Sequence, residues 1–579
     1  MTKLSTEQRT IIEAPLEPMS VIACAGSGKT LTAVCRLAEI RKRLGDHRGR
    51  VALLSFSNVA VNTFRQSYQS LAQDLSTSIR RDRVEIDTLD GFFTCNVLRP
   101  HAYRTMGATH AAFLVTGGES FLSGYRFKTN TYPLSIARMQ VGMRHDKVYF
   151  YHSNNDQMEE LNATYASHVV HRLGRTGAYT HNLGRYWCYR VLREQSAVLR
   201  ALAHRYPHIL IDESQDIGTL HQAILEQLIM AGAQVSLIGD PHQGIYEFAG
   251  ANGKFLTQYG ERAEVKGYGL TRNYRSVAAI LKLANKLSAR SDIAERQASG
   301  TPHSLYFIAY RNAERGQLIT TFQAAVRAAG LRVERSAVLC RGRDLADKLA
   351  GNHATLGQGI IKGFAQAAIL RDKQQDYLEA FKLVTNCIVG LLADPPQGLV
   401  SMIVHDTRYR EARPLRRIIW NFTRNPYKGL PTATLNAYTH WHPQLLARTK
   451  ALLSALQQKF DLPAADNLGH KMTKKGLPNA PLINAGSLAD GQDPRIRVDT
   501  VHQVKGESLD AVLYLAAKDH VTALLAGVDT EIGRIGYVAV TRARNLLWLG
   551  VPASALMELR PALLAHGFQE IGVTSVHPA

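Results

Sequence analysis

Ala23-Cys24-Ala25-Gly26-Ser27-Gly28-Lys29-Thr30 is the stretch on which the reading of this chain turns. It follows the apolar pair Val21-Ile22 and precedes Leu31-Thr32-Ala33-Val34, the pattern of a strand, a tight loop and the start of a helix. Glycines in such a loop let backbone N–H groups close around phosphate oxygens, and the positive end of the following helix favours the anion. Ala25, Gly26, Ser27 and Gly28 would form that cradle. Lys29 would reach the β- and γ-phosphates of a nucleoside triphosphate, and the Thr30 hydroxyl would ligate Mg²⁺. Ala23 stands where the pattern G-x-x-x-x-G-K-[ST] begins with glycine.

A second apolar run ends in acids: His208-Ile209-Leu210-Ile211-Asp212-Glu213-Ser214-Gln215-Asp216. A buried strand that delivers two adjacent carboxylates at its C-terminal end suits metal-assisted hydrolysis. Asp212 would hold Mg²⁺ and Glu213 would orient and deprotonate the attacking water.

The composition agrees with a polyanionic partner. Lys and Arg number 69 against 48 Asp and Glu, a formal charge of +21, which attracts nucleic acid and speeds encounter with it. The 579 residues, 45% of them hydrophobic, are enough for several cores. Six cysteines (24, 35, 95, 188, 340, 387) lie scattered without a C-x-x-C pair, so no iron–sulfur cluster or zinc site is expected and a reducing cytoplasm is the expected setting. The polar start Met1-Thr2-Lys3-Leu4-Ser5 does not read as a signal peptide, and no membrane span is expected.

Strand-like runs at 20–23, 51–57, 84–86, 209–212 and 235–239, separated by helical stretches, predict a parallel α/β sheet with ligand loops at strand C-termini. A second set falls at 304–309, 336–340, 511–516 and 546–550. The organisation expected is two parallel-sheet P-loop cores, each interrupted by a mostly helical insert. The first core would take 1–92 and 207–268 with an insert at 93–206, and the second 269–355 and 489–579 with an insert at 356–488. The second insert carries a basic, aromatic region over 413–427.

With these pieces in order, the chain resembles a superfamily 1A helicase of the UvrD/Rep/PcrA type. Leu4-Ser5-Thr6-Glu7-Gln8 looks like the Q motif, and Leu54-Ser55-Phe56-Ser57-Asn58-Val59-Ala60 resembles motif Ia. Asp212-Glu213-Ser214-Gln215-Asp216 matches the D-E-x-Q-D box, and Gly239-Asp240-Pro241-His242-Gln243-Gly244-Ile245-Tyr246 looks like motif III. Asn273-Tyr274-Arg275-Ser276 matches motif IV and Thr500-Val501-His502-Gln503-Val504-Lys505-Gly506-Glu507 is similar to motif V. Tyr537-Val538-Ala539-Val540-Thr541-Arg542-Ala543-Arg544 matches motif VI.

The resemblance implies two RecA-like cores and roles for single residues. Gln8 would read the adenine edge, Tyr274 would stack on the base, and Gly506 and Glu507 would lie at the nucleotide. Arg275 and Arg542 would be arginine fingers from the second core, so that hydrolysis requires closure of the two cores; Gln243 would sense the γ-phosphate. Phe56, Asn58, Thr88, Tyr246, Phe248 and His502 would contact single-stranded DNA, the rings by sequence-tolerant stacking. Phe248 replaces a tryptophan usual in the family, Leu31 replaces an arginine, and Ser508 holds the slot where the motif V glutamate is expected.

The implied activity is an ATP-dependent 3′→5′ helicase or translocase on single-stranded and partly duplex DNA, serving repair, recombination or replication restart. The alternative is an ATP-gated DNA-binding subunit beside a nuclease in anti-phage defence, as the K-G-E form of motif V resembles stand-alone UvrD-like proteins. A nuclease or repair protein is the partner these readings imply. About 35 residues follow motif VI, too few for a C-terminal nuclease domain, and the short second insert implies weak strand separation by the chain alone.

Overall fold

The computed structural model describes residues 4–74, 83–115, 117, 119–129, 132–154, 157–247, 250–251, 253–296, 304–350, 356–373, 375–396, 398–404, 410–483 and 496–571. They fall into two compact units, one comprising Met1–Ala346 with Ile496–Ala579 and the other Asp347–Arg495.

Among the described residues, the first unit contains two six-stranded sheets. The first is built from β1 (Met19–Ala23), β2 (Val51–Ser55), β3 (Val84–Thr88), β4 (His208–Ile211), β5 (Gln234–Gly239) and β6 (Lys266–Leu270). Its order is β6-β1-β5-β4-β2-β3, and every pairing is parallel. Helices cover both faces of such a sheet, so its central strands read as unbroken apolar runs rather than alternating ones. Val51–Ser55 and His208–Ile211 are buried at every position. Val21 lies opposite Ile238, and Leu210 opposite Leu53.

The second sheet uses β7 (Leu305–Tyr310), β8 (Ala337–Cys340), β9 (Arg497–Thr500), β10 (Leu509–Leu515), β11 (Ala543–Pro552) and β12 (Gln569–Glu570). It too is wholly parallel, in the order β9-β8-β10-β11-β7-β12. Parallel strands place all their C-terminal ends along one edge, where ligand loops gather. The first sheet therefore presents together the loop after Ala23, Phe56 after Ser55, Asp212 and Glu213 after Ile211, and Asp240 after Gly239.

The nine strands expected from the sequence are all present within a few residues of their expected ends. β6, β9 and β12 were not expected. Lys266-Gly267-Tyr268-Gly269-Leu270 has glycine at two of five places, a composition that weakens a strand, and it is extended through pairing with Met19–Ala23. Between β3 and β4 helices dominate, chiefly Ala163–Gly174, His181–Glu194 and Ser196–Arg205. The same segment also folds Gln140–Arg144, Lys147–Asn154 and Gln157–Glu160 into an antiparallel sheet that the mostly helical expectation did not include. Its first turn, His145-Asp146, has φ of 47° and 58°, the left-handed pair of a two-residue hairpin without the usual Asn-Gly signal.

The second unit is helical, with Gly359–Lys373, Tyr377–Val389, Arg413–Arg424 and His442–Phe460 packed around Phe364, Phe381, Ile388, Ile419, Trp441 and Leu453. Arg371 is buried there, its guanidinium held by Asp372 and by the carbonyls of Thr423, Leu430 and Pro431. Arg413–Arg424 turns Leu415, Ile419 and Phe422 into that core and leaves Arg413, Arg417 and Arg424 exposed. Among the described residues, no helix is long and apolar enough to cross a membrane.

Candidate functional site

The phosphate loop closes through two left-handed glycines, Gly26 (φ 76°) and Gly28 (φ 81°), a conformation that costs a residue with a Cβ roughly 1–2 kcal/mol. Ser27 Oγ donates to the Cys24 carbonyl at 2.8 Å and holds the loop shut. Gly28 precedes the helix Lys29–Leu44 with no side-chain cap, which leaves the first N–H groups of that helix for an anion. Lys29 is buried at the mouth of this cradle and Thr30 is half-buried beside it. Gln8 Oε1 accepts from the Ser5 N–H at 3.0 Å while its Nε2 donates to the Ser27 carbonyl at 3.2 Å. The residue expected to read adenine is thus also the brace of the loop.

Asp212 follows β4, and its N–H donates to the Leu54 carbonyl at 2.9 Å. It is 1% exposed, and its Oδ1 has no hydrogen-bond partner. Burial pushes its carboxyl up to about 7, and neighbouring Glu213 adds to the rise. An orphaned buried carboxylate oxygen fits a hard divalent cation, which takes oxygen donors. Burial would also raise Glu213, but Lys29 and Lys505 outweigh it and hold that carboxylate below its ordinary range. Glu213 has φ 54°; a non-glycine residue so placed stores about 1–3 kcal/mol, which the surrounding contacts must offset.

A chain of amides carries contact from Glu213 to the second sheet. Gln215 Nε2 donates to Glu213, and Gln215 Oε1 accepts from the Asp240 N–H at 3.0 Å. Asp240 Oδ2 accepts from Gln243 Nε2 at 2.8 Å, and Gln243 Oε1 accepts from Arg542 Nη2 at 2.8 Å. Arg542 is 1% exposed and lies at the end of the helix Glu531–Arg542, its other nitrogens donating to the Val538 and Glu507 carbonyls. From the same side Asn273 donates to the Ala25 carbonyl, and the Tyr274 N–H donates to the Gly26 carbonyl at 2.9 Å. Arg275 Nη1 donates to the Thr541 carbonyl at 3.0 Å, whereas its Nε is buried without a partner. Burial lowers this guanidinium to about 9, with Arg542 contributing. A carboxylate and a guanidinium, each with an unsatisfied atom, face a cradle of N–H groups; the arrangement fits a metal–triphosphate.

Tyr274 is 40% exposed at the edge of the cleft, leaving its ring accessible to a base. Gly506 has φ 87°, and Glu507 pairs with Arg497 at 2.7 Å on a half-exposed surface. Phe56 is half-buried, edge-on to His221 at 5.9 Å between ring centroids. Asn58 is exposed at the head of the helix Asn58–Asp74, and Thr88 caps the helix Leu89–Phe93 by accepting from the Gly91 N–H. Tyr246 and His502 stack obliquely at 5.7 Å, and His502 Nε2 meets the Ile245 carbonyl at 3.1 Å. Phe248 lies outside the described residues.

Three features have no counterpart in the expected roles. Lys505 Nζ contacts both oxygens of Asp216, at 2.6 and 2.7 Å, and the Gln243 carbonyl at 2.7 Å. Gln215 is the amide that joins the Glu213 loop to Asp240. Asp90 accepts two bonds from Arg185, at 3.0 and 2.7 Å, and contacts His221 at 2.8 Å beneath Phe56. The adjacency of Gln215 and Asp216 to Glu213 was the one sequence signal for the first two.

Comparison with known proteins agrees with this geometry. Residues 4–264 match the family model of the UvrD/REP helicase N-terminal domain. Over that stretch the chain is similar to the UvrD/REP helicases. It is 24% identical over 49% of its length to the putative ATP-dependent DNA helicase YjcD of Bacillus subtilis, and 24% identical over 50% to DNA helicase II of Haemophilus influenzae. The matches span 38% and 40% of those two proteins, about two fifths of their length. The similarity extends further against ATP-dependent DNA helicase UvrD2 of Mycobacterium tuberculosis, 22% identical over 93% of this chain and 77% of that one.

Proposed function

We propose that this chain is an ATP-dependent DNA helicase or translocase that moves 3′→5′ along single-stranded DNA in repair, recombination or replication restart, with a nuclease or repair protein as partner. The observation that carries the reading is that Arg275 and Arg542, from the second core, lie in the same cleft as Lys29 and Glu213 from the first, with Arg542 bonded to Gln243. An arginine that stabilises phosphoryl-transfer charge contributes on the order of 10³–10⁵ in rate, so turnover depends on the cores being closed. Repeated closure against a track of stacking rings is translocation.

In this reading Thr30 and Asp212 would hold Mg²⁺, which would supply charge neutralisation for the triphosphate. Lys29 binds the phosphates, Glu213 takes the proton of the attacking water, and Gln243 reports the γ-phosphate to Asp240 and Tyr246. Gln8 and Tyr274 hold the adenine; Phe56, Asn58, Thr88, Tyr246, Phe248 and His502 line the strand. The four-part division into two cores and two inserts belongs to the same reading, with the second insert regulating unwinding. The polarity rests on the family resemblance.

Steady-state ATPase with single-stranded DNA, duplex DNA and single-stranded RNA tests the proposal. Strong stimulation by single-stranded DNA alone is expected, followed by unwinding of 3′-tailed in preference to 5′-tailed duplex. Equal rates with and without any nucleic acid would overturn it.

A further inference from the structure

Lys505 belongs to the second core, yet its ammonium sits in the first. It makes two contacts to the Asp216 carboxylate and one to the backbone carbonyl of Gln243, and the side chains of Lys505 and Asp216 are only 8% and 5% exposed. The same ammonium lies 4.9 Å from the centroid of the Tyr246 ring. One cation therefore touches the loop that carries Glu213, the loop that carries Gln243, and a ring placed on the DNA track. Tyr246 is three residues beyond Gln243, and its ring packs on His502, three residues before Lys505. A buried ion pair adds little net stability over an apolar pair of the same volume, so stability alone does not account for this one.

We propose that Lys505 is the positioning residue that couples occupancy of the track at Tyr246 to the hydrolytic loop. A base stacking on Tyr246 shifts or fixes the ring under the ammonium. Because Nζ is bound to Asp216 and to the Gln243 carbonyl, that shift moves the loops of the water-activating glutamate and the γ-phosphate sensor together. Communication runs through one charged contact with three partners rather than through a continuous element. The inference rests on the DNA-dependent ATPase proposed above.

The test compares Lys505→Met, Asp216→Asn and the double variant, measuring ATPase with and without saturating oligo-dT and oligo-dT affinity by fluorescence anisotropy. The quantity read is the ratio of stimulated to DNA-free turnover. In each single variant the ratio should fall by about 5–150-fold, the usual range of coupling between sites, and saturating DNA should not restore it. The double variant should lose no more than either single one, because both break the same link. It removes both charges and so leaves no buried ion unpaired, which keeps the test available where a single variant fails to fold. A proportional fall of both rates with the ratio kept, recovery of the ratio at saturating DNA, or multiplicative losses in the double variant would each overturn the proposal. A wild-type chain whose ATPase ignores oligo-dT would instead overturn the DNA-dependent activity itself, and the coupling with it.

Discussion

The nucleotide cleft and the candidate DNA track are built from opposite materials. In the cleft, Gln8, Gln215, Gln243 and Arg542 each spend polar atoms on another fixed group, Arg275 Nη1 is held by the Thr541 carbonyl, and Glu213 is held in a strained backbone conformation. Along the track, Phe56 leans on His221 and Tyr246 on His502 through ring contacts, and Asn58 is exposed. Phosphoryl transfer needs donors fixed in direction, since preorganised dipoles do not reorganise during the reaction. A track must release one base and accept the next, and stacking tolerates any base. On the proposed function, rigidity is concentrated where bonds would break, and adaptable contacts are found where the polymer would slide.

The largest effect expected on this contrast is in the cleft. Lys29→Ala should abolish ATPase, and Glu213→Gln should lower turnover by about 10²–10⁴, the usual contribution of general-base catalysis, while ATP and DNA binding persist. Single-turnover hydrolysis with parallel binding titrations checks both; a Glu213→Gln chain that no longer binds ATP would show that the carboxylate is structural. A smaller effect is expected on the track. Phe56→Ala should weaken single-strand affinity by about 1–3 kcal/mol and lower turnover at saturating DNA far less. An equal drop in DNA-free turnover would mark the ring as core packing and remove the contrast.

The smallest effect on turnover concerns the strand that supports the cleft. His208 is buried at the start of β4, and burial lowers its imidazole to about 4 from 6.5, with Arg36 contributing. The unfolded chain therefore binds a proton there more readily than the folded one. The stability this group contributes is complete above pH 6.5 and is lost as pH falls toward 4, by at most about 3–4 kcal/mol. In His208→Gln the fall in Tm between pH 7 and pH 5 should be shallower than in the parent, without loss of ATPase at pH 7.5. An unchanged slope would place the acid sensitivity elsewhere.

The sheets were legible because buried parallel strands such as Val51–Ser55 are apolar runs with turn residues behind them. β6 was not, since Gly267 and Gly269 carry no strand signal and pairing with β1 alone extends them. The hairpin at His145-Asp146 lacks turn residues with a known preference for its conformation. In the cleft, the loop, the two carboxylates and the arginines were named from the order of motifs. The link from Lys505 to Asp216 joins residues 289 apart in the chain, and nothing in either neighbourhood announces the other. Positions that a short pattern defines can be picked out from sequence, whereas pairings made between two cores cannot.

One glycine sets how near those cores can come. A Cβ built on Gly26 would lie 2.4 Å from the Cβ of Arg275, on the opposite wall of the cleft. Hydrogen is the largest substituent that position admits while Arg275 keeps its place, so a single methyl group there would act as a wedge. The stroke of the machine, on this view, is limited by an atom the sequence leaves out.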